Sequence, residues 1–215
     1  MIGAWFQMGL STIRGILDKV VSQFTFASNT PINEVTGTLA TLSGSARIIN
    51  NKLNQTTQSD FMTWPATLFA ANEDFTIETW VNYSGTGSGG GCIMGVWNIG
   101  NSNNNAWIAY VTSNVLWFSI SPTGTSSGQF NLNSGTLSPN VNHHVAITRQ
   151  AGTVRVFVDG VIRASGPFAE AAASSTLPCR TVWSANTTLL ANIWNMRIAK
   201  GACFYAANFT PPQSF

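Results

Sequence analysis

The chain predicts an all-β fold, an antiparallel two-sheet sandwich led by a short amphipathic helix. Three observations carry this reading: a three-strand meander over residues 143–166, a run of short alternating segments punctuated by Gly- and Asn-rich turns, and a helical stripe confined to residues 1–24. Many short strands with frequent turn signals and only one helix are the pattern of a sandwich or barrel.

The N-terminal stripe comes first. Ile13, Ile16, Leu17, Val20, Val21 and Phe24 recur at i, i+3, i+4, i+7, i+8 and i+11, one side of an α-helix, while Arg14, Asp18, Lys19 and Ser22 take the other side. Ser11 or Thr12 can cap its start. No basic region precedes the apolar part, so it does not read as a signal peptide, and polar residues interrupt it too soon for a membrane span. The stripe could pack on its own sandwich. Trp5, Phe6, Met8 and Leu10 ahead of it favour docking onto a neighbouring subunit, because such apolar density on a free terminus is a liability. Residues 1–24 are therefore expected to form a docking segment and residues 25–215 the sandwich.

Strands follow. Residues 38–49 and 60–64 read as short strands. Phe75, Ile77, Thr79, Val81 and Tyr83 alternate with Thr76, Glu78, Trp80 and Asn82, a strand with two structured faces. Residues 84–91 form a Gly/Ser loop, and residues 92–99, 106–112 and 115–120 a second meander. In the central meander Val154, Val156 and Val158 share one face and Arg155 and Phe157 the other. Asp159-Gly160 is a two-residue hairpin signal, and Gln150-Ala151-Gly152 reads as a looser three-residue turn. Residues 167–181 read as a loop, residues 188–198 as a long strand, and Pro211-Pro212 as its stop.

Composition narrows the function classes. Charged residues make up 8% of the 215, against about 25% in an average domain. A surface so poor in charge calls for partners to cover it. The net charge is +2 with no basic cluster, which argues against nucleic acid as a partner. Cys92, Cys179 and Cys203 are odd in number and scattered, so they read as reduced thiols, with one Cys179–Cys203 bridge left open. Sequons at Asn54, Asn82, Asn186 and Asn208 are what an Asn- and Thr-rich chain contains by chance.

Several motifs are false leads. Residues 85–90 satisfy G-x-G-x-x-G, but a strand follows where a helix should open. Residues 124–128 satisfy G-x-S-x-G around Ser126 without a strand-turn-helix context. His143 and His144 are adjacent on a strand and point to opposite faces, so they cannot share a metal, and no metal or other cofactor is expected. A glycosidase needs two carboxyls about 5–10 Å apart. Asp74 and Glu78, with Glu73 beside them, are the only close acids, and four residues along a strand span about 13 Å. No catalytic residue is assigned. Trp and Asn side chains can instead stack on sugars and bond their hydroxyls. The candidate glycan site is the loop between Trp97 and Trp107, with Asn98, Asn101, Asn103 and Asn104.

Three stretches together, residues 74–81 (DFTIETWV), 143–166 (HHVAITRQAGTVRVFVDGVIRASG) and 193–212 (IWNMRIAKGACFYAANFTPP), resemble the laminin-G-like branch of concanavalin-A-like jelly rolls. The last is similar to laminin-G-like domains of phage tail and virion proteins. Asn142 stands where that branch often has Trp, and Trp194-Asn195 where it often has two acids, which weakens the carry-over of a metal site. The resemblance implies a jelly roll over residues 25–215. With the depleted charge and the apolar leader, it leads to the expectation of a non-enzymatic virion surface structural protein of a phage, a capsid decoration protein or short head or tail fibre subunit. It would assemble as a homo-oligomer, most naturally a trimer, and dock onto the capsid or another virion protein through Trp5, Phe6, Ile13, Ile16, Leu17, Val20, Val21 and Phe24. The alternative is a lectin-like module that recognises host glycan, and the third reading is a glycosidase.

Overall fold

The computed structural model of the chain describes residues 18–86, 90–98, 103–184 and 187–214. In chain order its strands are β1 (Val20–Phe24), β2 (Thr41–Ser43), β3 (Arg47–Ile49), β4 (Lys52–Gln55), β5 (Phe61–Trp64), β6 (Phe75–Thr86), β7 (Gly91–Val96) and β8 (Trp107–Thr112). They continue as β9 (Val115–Ile120), β10 (Phe130–Thr136), β11 (His143–Gln150), β12 (Thr153–Val158), β13 (Val161–Pro167), β14 (Cys179–Arg180) and β15 (Leu189–Lys200). Among the described residues they form two antiparallel sheets. The first runs β13-β12-β11-β6-β15-β4-β3, with β1 added on β15, and the second runs β10-β9-β8-β7-β14-β5-β2.

The expected helix is corrected. Among the described residues there is no α-helix, only a 3-10 turn at Ser126–Gly128. Residues 20–24 are strand β1, paired with Phe24 opposite Met196 and Val20 opposite Ala199. The sequence Val-Val-Ser-Gln-Phe fits both periods, since positions 20 and 24 share a face in a helix and in a strand. The β-branched pair and the free edge of β15 decide for strand, because that edge supplies the backbone partners a helix would have supplied itself. Trp5, Phe6, Ile13, Ile16 and Leu17 lie outside the described residues.

Turn chemistry sets much of the register. Asn50-Asn51, Ser113-Asn114, Ala151-Gly152 and Asp159-Gly160 each join two paired strands, with positive φ at both positions. That is the two-residue turn whose twist matches the flanking strands. The 150–152 corner is thus tighter than its sequence reads, with Gln150 still paired to Thr153. The 38–49 segment is not one strand. It breaks at Gly44 (φ 68°), so that β2 joins the second sheet and β3 the first.

The core lies between the sheets. Ile77, Val81, Val145, Ile147, Val154, Val156 and Ile193 meet Trp107, Val111, Leu116, Phe118 and Ile120 there. Arg149 is buried at its rim and donates from Nε to the Glu73 carbonyl (2.7 Å), from Nη1 to that of Glu170 (2.6 Å) and from Nη2 to that of Ala70. One guanidinium thereby pins the two loops that flank β6 and follow β13. Burial lowers its pKa, partly offset by Glu73 and Asp74.

Candidate functional site

The outer face of the first sheet carries the chemistry. On β6 that face is Thr76, Glu78, Trp80 and Asn82, and on β15 it is Asn192, Trp194 and Arg197. A bulge at Asn195 (φ 48°) makes this register work, setting Trp194 opposite Trp80 and, three residues later, Arg197 opposite Glu78.

The C-terminal segment straps half of this face shut. The Phe204 N–H donates to Thr76 Oγ1 (2.9 Å), Thr148 Oγ1 to the Tyr205 carbonyl (2.9 Å), Trp80 Nε1 to the Pro212 carbonyl (2.8 Å), and Asn195 Nδ2 to the Gln213 carbonyl (2.9 Å). Phe209 packs on Phe157 and His144 and stacks on Tyr205. Beneath the strap, Glu78 is fully buried. Its Oε1 accepts two bonds from Arg197, the Nε one at 2.9 Å, and its Oε2 accepts the Tyr205 hydroxyl (2.9 Å) and lies 3.2 Å from His144 Nε2. Burial and the Glu78 charge push the Tyr205 hydroxyl well above its ordinary pKa, so it stays a donor.

The other half of the face is open. Cross-strand register puts Arg47, Asn54, Asn192 and Asn82 in one row from β3 to β6, and Asn142, just before β11, extends it. At the strand spacing of about 4.8 Å this row is roughly 19 Å long. Asn54 Nδ2 donates to Asn192 Oδ1 (3.0 Å), and Asn82 Nδ2 to Asn142 Oδ1 (2.7 Å). Two residues along each strand lies a second row, with Lys52, Trp194 and Trp80 side by side. Trp194 stacks on Trp80 at 5.9 Å between centroids, and Lys52 Nζ sits 4.2 Å over the Trp194 ring. Asn54, Gln55, Asn82, Ser84, Asn140 and Asn192 line a cleft of 290 Å³ at this end of the sheet. The Gln55 Oε1 is buried without a hydrogen-bond partner at its margin. Asp60 leaves no free carboxylate at this end. Burial raises its pKa, but the N–H groups of Thr56, Ser45 and Thr57 and the Thr57 hydroxyl outweigh that and bring it down to about 2.

Residues 56–203 match the family described as the concanavalin A-like lectin/glucanases superfamily. The chain belongs to that superfamily. A search of curated proteins gives no match. Among solved structures, the binding domain of Paraclostridial Mosquitocidal Protein 1 superposes with a TM-score of 0.70 at 13% identity, covering 87% of this chain and 50% of that one. The ligand-binding domain of botulinum neurotoxin serotype D, in complex with N-acetylneuraminic acid, gives 0.68 at 12%, covering 87% and 48%. The binding domain of botulinum neurotoxin DC, in complex with rat synaptotagmin II, gives 0.65 at 15%, covering 86% and 48%. The chain thus spans about half the length of these structures. At such identities the likeness establishes the superfamily's two-sheet fold.

Within that fold the residues singled out from the sequence are dispersed. Trp107 is fully buried in the inter-sheet core and donates Nε1 to the Thr67 carbonyl (2.7 Å). Trp97 lies on the opposite face of the second sheet, packed with Cys92, Ile108 and Trp183. Neither ring is a solvent-facing platform. Asn103 is exposed. Asn104 is tied by its amide to Thr176, and Asn98 is half-buried with its N–H on Asn105 Oδ1. Asn101 lies outside the described residues. Val20 and Phe24 are buried in their own sandwich, and Val21 is half-buried against it. His143 binds Asp159 and the Ser138 carbonyl, whereas His144 meets Glu78, so the two do point apart. Cys179, in the second sheet, and Cys203, in the strap outside the first, are both free, so the Cys179–Cys203 bridge is not formed. Burial pushes the Cys179 thiol up to about 12.

The three close acids are each engaged within the fold. Glu73 accepts the Ala70 N–H and faces Lys200, Asp74 accepts the Ala151 N–H, and Glu78 is sealed with Arg197 and Tyr205. Among the described residues no three His, Cys, Asp or Glu side chains come together to hold a metal. The row of Asn54, Asn82, Asn142 and Asn192 escaped sequence reading because its members come from four distant segments. Asn54 surfaced only as a sequon, Asn82 as a sequon and a strand-face residue, and Asn142 only as a departure from the family pattern.

Proposed function

We propose that the chain is a non-enzymatic, lectin-like module that binds carbohydrate on the open half of the first sheet's outer face. The observation that carries this is the row Asn54–Asn192–Asn82–Asn142 lying one step from the Trp194 ring. Carboxamides both donate and accept, as sugar hydroxyls require, and amides already held by one another, three of the four half-buried, lose little freedom on binding. The Trp194 indole offers an apolar surface for the C–H face of a sugar ring. Lys52 covers it only through a half-buried cation–π contact worth about 1 kcal/mol, so a ring can take its place. The cleft at Asn54, Asn82 and Asn192 gives the concavity that a specific site needs. Superfamily membership and the binding domains among its structural neighbours support the same class of function. The sealed state of Glu78 supports binding without cleavage.

Glycan-array and calorimetric measurements test the assignment. Asn192→Ala and Trp194→Ala should each weaken the best saccharide about tenfold or more while the melting transition stays close to wild type. An array without hits for the folded protein, or hits indifferent to both substitutions, would overturn it.

A second reading, the surface structural protein of a phage virion, draws on a separate observation. Ile32 and Leu39 bridge each other, and with Val35 they are exposed on one loop beside β1 (40%, 60% and 48%). Such a patch on a charge-poor chain suits coverage by a second copy or a shell protein. Light scattering tests it: an oligomer that Leu39→Asp dissociates favours this reading, and a monomer at high concentration removes it.

A further inference from the structure

We infer that the saccharide held on this face is acidic, with its carboxylate taken by Lys52 and Arg47. This rests on the carbohydrate-binding reading above and adds the ligand's charge. Arg47 stands at one end of the amide row and Lys52 at the same end of the tryptophan row, on the neighbouring strands β3 and β4. Among the described residues neither has an ion-pair partner, although the chain's four described ion pairs engage Arg197, Lys200 and both histidines.

Among the described residues no carboxylate side chain balances them on the open face. Neither row contains an acid. Glu78 is sealed beneath the strap, and Asp60, whose carbonyl takes the Gln55 amide, spends both carboxylate oxygens on the N–H groups of Ser45, Thr56 and Thr57 and on the Thr57 hydroxyl. Two unpaired cations over a field of neutral amides form a local positive site on a nearly uncharged protein, and a planar guanidinium matches a carboxylate in bidentate fashion. Lys52 is also placed to move. A sugar ring stacking on Trp194 displaces the ammonium from the indole, and the same flexible stem lets it turn to a carboxylate on that ring. The row's length, several times the width of one pyranose, fits an oligosaccharide chain.

The test uses the full chain and oligogalacturonate, oligosialate and the methyl ester of each, by calorimetry at low and high NaCl. The acids should bind about tenfold more tightly than their esters, with the difference shrinking in salt. The preferred acid distinguishes a uronate from a sialate ligand. Lys52→Met and Arg47→Met should erase the acid preference while ester binding persists, and Asn192→Ala should weaken acid and ester alike. Equal affinity for acid and ester, or an acid preference that survives the double substitution, would overturn the inference and leave carbohydrate binding standing. Failure of every acid, ester and neutral saccharide to bind the folded protein would remove the underlying reading as well.

Discussion

Replacing Gly160 by alanine should release the C-terminal strap. Gly160 has φ 77°, and a Cβ there would overlap the carbonyl oxygen of Phe209 and stand 3.0 Å from Pro211 Cδ. Both obstacles are backbone or a rigid ring, so neither can rotate aside. The left-handed conformation alone costs an alanine about 1 kcal/mol. Seating the strap elsewhere also forfeits the Phe209 N–H bond to the Gly160 carbonyl (2.9 Å) and the Ile162 N–H bond to Asn208 Oδ1 (2.9 Å). These bring the expected loss to about 3 kcal/mol, at roughly 1 kcal/mol for each neutral hydrogen bond. Two internal controls separate the effects, because Gly37 (φ 70°) and Gly135 (φ 74°) have nothing within 4 Å of the added Cβ. Gly37→Ala and Gly135→Ala should cost about 1 kcal/mol each. Urea denaturation followed by Trp fluorescence measures all three, and limited proteolysis reports whether the C-terminus has come loose. In a chain truncated after residue 202 the excess cost of Gly160→Ala should vanish. An excess that persists there, or a Gly160→Ala no worse than the controls, would refute the seat described for the strap.

Other substitutions probe the rest of the scaffold. Arg149→Leu strips three backbone carbonyls of their donor and should cost about 3–5 kcal/mol by chemical denaturation; a cost under about 1 kcal/mol would mean that water or relaxation replaces it. Asp60 is held at about 2, below its ordinary 3.8, so its contribution to stability is complete above that ordinary value and is lost as pH falls through 2. Asp60→Asn should therefore cost about 2 kcal/mol at neutral pH, and denaturation curves should show that penalty fading between pH 4 and 2. A thiol reagent should modify Cys203 in the native protein and reach Cys92 and Cys179 only on unfolding, since these two are completely buried; mass spectrometry of the labelled peptides reads the order.

The sequence by itself determined the strands whose side chains alternate cleanly, β6, β8, β9, β11 and β12, and the Asp159-Gly160 hairpin. These rest on local geometry, the two-residue period of a pleated strand and the φ > 0 demanded by a tight turn. It also held the superfamily resemblance, in segments that proved to be β6, the β11–β13 meander and β15 with its strap. What lacked a local signature was decided by tertiary structure. Residues 20–24 satisfy helix and strand periods equally, and the open edge of β15, with the β-branched Val20-Val21 pair, chose between them. The candidate site was illegible for the same reason. Asn54, Asn82, Asn142 and Asn192 become neighbours through the register of β4, β15, β6 and the start of β11, and register depends on which strands pair. Trp107 shows the converse. Its sequence neighbourhood reads as a sugar platform, yet its β8 position turns the ring inward, where burying so large an apolar surface outweighs anything it could gain at the surface.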